Sequence, residues 1–149
     1  MGSLNFKEIM ADNFLHRGNW SVVKVVGTLP NDLIVVQGRE NDIQFTENIS
    51  NLEPISLSSE LLKNNNFSIE KFGSDPKTIY YLFSMKDNNS EVKILWETTF
   101  FSPDLQYAES WHIEIISKKN RVSLQRNTLF LHQLQNIFSL CNIEKEWIV

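Results

Sequence analysis

The clearest period in this chain is helical and lies near its C-terminus. Phe130, Leu134, Ile137, Phe138 and Cys141 fall at i, i+4, i+7, i+8 and i+11, the spacing that places apolar side chains on one stripe of an α-helix. It predicts a helix over residues 128–141, capped by Asn127 or Thr128 and ended by Asn142. Short polar side chains satisfy the free N–H groups of a helix start, and Asn tolerates the left-handed backbone of a helix end. Such a stripe must be buried, so the remaining residues have to supply a body for it.

That body reads as short strands separated by turns. Trp20–Val26, Leu33–Gln37 and the Ile43/Phe45 pair are three strand candidates. Leu29-Pro30-Asn31-Asp32 and the polar run from Gly38 to Asp42 separate them, and both have turn chemistry. Three short strands on tight turns predict a curled, SH3-like antiparallel unit. Ahead of them, Phe6–Phe14 is expected to form a short helix broken at residues 16–19. Ser58 or Ser59 should cap a second short helix that the Asn64-Asn65-Asn66 run stops. Ile79–Met85, Val92–Phe101 and Trp111–Ile116 predict a second antiparallel sheet, the last by strict alternation of Trp111, Ile113 and Ile115 with polar neighbours. The fold class expected is therefore α+β, in one domain spanning residues 1–149.

Composition narrows the chemistry. A formal charge of −4 argues against non-specific nucleic-acid binding, which depends on neutralising phosphates. Cys141 is the one cysteine, so no internal disulfide is expected, and its place on the apolar stripe predicts an inert core thiol. No apolar run is long enough for a transmembrane helix, and Met1–Met10 lacks a secretory pattern. A cytoplasmic location is the expectation. His16, His112 and His132 show no metal-ligand spacing. No Gly-rich phosphate loop or nucleophile elbow is present. No cofactor is expected.

Three segments resemble a family of small uncharacterised proteins common in Bacteroidota genomes, their phages and mobile elements. They are Leu15 with Gly18-Asn19-Trp20, then Pro54-Ile55-Ser56-Leu57 with Glu60-Leu61-Leu62 and Asn66-Phe67, and finally Leu131-His132-Gln133-Leu134-Gln135-Asn136-Ile137-Phe138. The resemblance covers residues 15–140, and His-Gln-Leu-Gln-Asn is its most specific string. It implies a setting rather than an activity: a small accessory protein carried by phage or mobile DNA.

The candidate ligand-binding residues are Arg17, Asn19, Trp20, Trp111, His132, Gln133 and Asn136. His132 and Asn136 are four apart and share a helix face, with Gln133 beside them. Such side chains either hold a ligand or tie the helix to backbone groups around it. Arg suits phosphate oxygens and Trp suits a base. Lys118-Lys119-Asn120-Arg121 is the densest positive run and reads as a solvated turn or a basic rim. The leading expectation is a non-enzymatic binding protein that sequesters a small anionic, nucleotide-derived host immune signal, with a homo-oligomer interface able to complete the site. The rivals are an adaptor or inhibitor that binds a host protein through a sheet edge or apolar patch, and a small enzyme with a dispersed site using His112 or His132.

Overall fold

A computed structural model describes residues 4–149, apart from 19–20, 40–41, 74, 88 and 102–105, and gives backbone only at 101, 106 and 107. Among the described residues the chain is α+β, with two antiparallel sheets and two α-helices. It divides into two compact units. The first comprises residues 1–57, 130–147 and 149, and the second 58–129 and 148.

The first unit holds β1 (Phe14–Arg17), β2 (Ser21–Leu29), β3 (Leu33–Gly38), β4 (Gln44–Asn48), β5 (Leu52–Pro54) and α2 (Leu131–Leu140). Its strands run β4-β3-β2-β1-β5 across the sheet. The fifth strand returns beside the first after a 3-10 turn at Ile49–Asn51, an SH3-like order. Asn31 and Asp32 turn β2 into β3 with left-handed backbones at φ 62° and 58°, which Asn and Asp tolerate. A bulge between Val25 and Gly27 shifts the β2–β3 register, and an extra residue of this kind bends its strand. Alternation then buries Leu15, Val23, Val25, Ile34, Val36 and Leu52 together with Ile9.

Two expectations for this unit need correction. The helix expected over Phe6–Phe14 is a single 3-10 turn, Phe6–Glu8, and β1 begins at Phe14 and runs through His16 and Arg17. Asn13 Oδ1 accepts from the Met10 N–H at 2.9 Å, and Asp12 takes φ 68°. Both divert the backbone from helix, as Asn and Asp often do. The C-terminal helix starts at Leu131, not residue 128. Phe130 bridges Ser56 in extended conformation, and the Leu131 N–H donates to the Ile55 carbonyl at 2.8 Å. That pairing holds the chain straight until Leu131. Asn142 ends the helix at φ 55°, as its side chain predicts.

The second unit holds α1 (Ser59–Asn64), β6 (Ser68–Phe72), β7 (Thr78–Lys86), β8 (Ser90–Phe101), β9 (Gln106–Ser117) and β10 (Arg121–Arg126). Ser58 caps α1 by accepting from the Leu61 N–H at 3.1 Å, and Asn66 leaves it at φ 65°. The strands form a meander, β10-β9-β8-β7-β6. One face carries Phe83, Val92, Ile94, Trp111, Ile113 and Ile115, all buried. The tail residue Ile148 is pinned by the Asn65 side-chain amide, which donates to the Ile148 carbonyl and accepts from the Ile148 N–H, both at 2.8 Å. β6 and β10 escaped the sequence reading. All five residues of β6 are exposed, so no buried alternation marks it.

Candidate functional site

Helix α2 presents a polar row to the N-terminal segment, and the row is fully engaged. Asn136 accepts from Asn13 Nδ2 at 2.8 Å and donates to the Glu8 carbonyl at 2.5 Å. Gln135 accepts from the Phe14 N–H at 3.0 Å and donates to the Asp12 carbonyl at 3.2 Å. Gln133 accepts from the Phe130 N–H and donates to the Glu8 carboxylate, both at 3.2 Å. These amides therefore latch the segment before β1 onto the helix. Buried amides serve this way because every lost backbone partner must be replaced.

His132 sits under the same latch at 2 % exposure. Its Nε2 lies 3.9 Å from Glu8 Oε2, its Nδ1 has no hydrogen-bond partner, and its ring stacks on Phe130. Desolvation lowers its pKa and outweighs the opposing pull of Glu8. Burial thus disfavours its charged form and leaves the ring almost without access to solvent. The Cys141 thiol is pushed up by burial, which leaves it protonated and a poor nucleophile.

Arg17 ends β1, three residues beyond the Phe14 N–H that the latch holds, and is already occupied. Its Nε meets Glu47 Oε2 at 2.6 Å, and its guanidinium lies 4.6 Å from the Phe45 ring centre. Glu47 also accepts from Asn51 Nδ2 at 2.6 Å. The Asn51 bond first, and then Arg17, hold its carboxyl below the usual carboxylate range. A shallow depression there adds Glu53 to Glu47, and Arg17, its one cation, is already held by Glu47. Trp111 is 2 % exposed in the sheet core of the second unit, stacked on Trp96 at 4.9 Å. It offers no face to a ligand. Asn19 and Trp20 lie outside the described residues. The structure thus brings His132, Gln133 and Asn136 together, and leaves Arg17 and Trp111 apart from them in function.

A second concave feature of the first unit lies behind the latch. A groove of about 790 Å³ runs between Met10–Phe14, the C-terminal half of α2 and the tail 142–147. That volume suits a small molecule. Lys24 reaches it from β2 and pairs with Asp12 at 3.0 Å. Lys145 holds its ammonium 5.2 Å from the Trp147 ring centre, and partial burial lowers its pKa. The groove carries Asp12, Glu144 and Glu146 against Lys24 and Lys145, a mixed field with one excess negative charge. Ser139 and Asn142 add exposed polar groups. Of these, Lys24 left a trace in the sequence, as a lysine inside a Val-rich strand. The tail residues left none, because their place depends on where α2 ends.

No group of three metal-ligating side chains forms among the described residues. No helix among them is long and apolar enough to cross a membrane. Comparison with protein-family models, curated proteins and solved structures finds no match.

Proposed function

We propose that this chain is a ligand-binding protein, of the phage or mobile-element accessory kind its sequence resembles, that sequesters a small nucleotide-derived molecule in the groove behind the α2 latch. The groove itself carries the reading: a ligand-sized concavity whose polar lining comes from three separate segments. The latch supports it by fixing one wall through amide bonds on both sides of Asn13, and a pre-formed wall reduces the ordering cost of binding.

Charge narrows the ligand. Lys24 and Lys145 can meet one phosphate, but Asp12, Glu144 and Glu146 would repel a second. A nucleoside or nucleoside monophosphate fits better than a cyclic oligonucleotide or a diphosphate. Isothermal titration with adenosine, AMP, ADP-ribose and a cyclic dinucleotide tests this. AMP should give saturable heat, and Ser139→Trp, at an exposed position on the groove, should abolish it. Silence from all four compounds, or unchanged AMP binding in Ser139→Trp, removes the reading.

A further inference from the structure

The solvent face of the second unit's sheet has a charge pattern that the groove does not explain. Directly opposed residues in an antiparallel sheet share a face. The register therefore sets Phe72, Tyr80 and Glu97 in one row, and Glu70, Leu82 and Leu95 in the next. In this two-by-three block Phe72, Tyr80, Leu82 and Leu95 make a staggered apolar patch across β6, β7 and β8, on the side away from the buried Phe83, Ile94 and Trp111. Phe72 is 46 % exposed and stacks on Tyr80 at 5.4 Å. Glu70 and Glu97 stand at diagonal corners of the block, and neither meets a cation among the described residues.

The other charged strand residues of this face are three cations and two carboxylates, set against one another rather than against Glu70 or Glu97. Lys93 pairs with Glu91 at 3.6 Å, Arg121 pairs with Glu114, and Lys86 lies opposite Glu91 in the β7–β8 register. Apolar surface flanked by two uncompensated carboxylates is complementary to an apolar stripe flanked by two cations. From strand and residue spacings, the two carboxylate positions are about 12 Å apart. Two turns of an α-helix, i to i+7, span about 10.5 Å, and long Lys or Arg side chains cover the difference.

We infer that this face docks a basic amphipathic α-helix of a partner protein, with its apolar stripe on Phe72, Tyr80, Leu82 and Leu95 and basic residues two turns apart on Glu70 and Glu97. This inference is independent of the groove and stands if AMP fails to bind.

The probe is a fluorescent helical peptide with Lys at i and i+7 and Leu at i+3 and i+4, titrated into the full chain by anisotropy. A scrambled peptide of equal charge is the first control. Saturable binding should weaken about tenfold in Glu70→Gln/Glu97→Gln, the scale of two exposed charge pairs. The charge-matched Asp32→Asn/Glu60→Gln variant, altered in the β2–β3 turn and in α1, should bind as the wild type does. Absence of binding overturns the inference, and so does equal binding of the scrambled peptide or equal loss in both variants. Sedimentation of the chain alone covers the other occupant. A dimer that Glu70→Gln/Glu97→Gln dissolves would assign the face to a second copy and also overturn it.

Discussion

His132 shows how burial changes what a residue type can do. In the sequence it is a candidate ligand contact and, with His112, a candidate for a dispersed enzyme site, and in the fold it is a desolvated ring with one unpartnered nitrogen. Its folded pKa lies below the ordinary histidine value of about 6.5. Between that lowered value and about 6.5 the unfolded chain binds a proton that the folded chain does not, so stability rises with pH through this window. The contribution is complete above about 6.5 and is lost on acidification. Urea unfolding at several pH values should show this slope in the wild type and a flatter one in His132→Leu. An identical slope in the variant would assign the dependence to other groups. Trp111 makes the same point without charge: a residue able to stack a base is spent on stacking Trp96.

At the scale of elements, α2 works as a clamp as much as a core helix. Its apolar stripe buries Leu134, Ile137 and Phe138, while Gln135 and Asn136 replace backbone partners for the segment leading into β1. Gln135→Ala would leave the Phe14 N–H and the Asp12 carbonyl without these bonds. The cost should be about 1–3 kcal/mol, the usual penalty for orphaned buried groups, read from denaturant midpoints. Hydrogen exchange should locate the damage at the Phe14 amide. Full protection there in the variant would show that the clamp is dispensable.

At the scale of the whole molecule, the first unit is discontinuous in sequence. Residues 1–57 complete their unit only with residues 130–147, so residues 58–129 form a long closed insertion between its parts. Ordering that insertion limits the entropy cost of bringing its ends together, which couples the two units through the chain. We therefore expect a single transition, with far-UV circular dichroism and Trp fluorescence melting coincidentally. Two separated transitions would show that the units fold independently and that the one-domain expectation fails.

Local periodicity and turn chemistry determined much of this protein by themselves. The helical stripe at Leu134–Phe138, the alternation around Trp111–Ile115, the Ser58 cap and the left-handed Asn66 and Asn142 all follow from neighbours a few residues away. The α2 boundary does not, since it depends on Ser56 pairing with Phe130 across more than seventy positions of sequence. β6 is likewise a strand by partnership with β7 and not by its own pattern. The roles of the polar residues were decided only in three dimensions. Whether an Asn, Gln or His binds a ligand or satisfies a backbone depends on which donors and acceptors packing brings within about 3 Å of it, and those come from the far end of the chain.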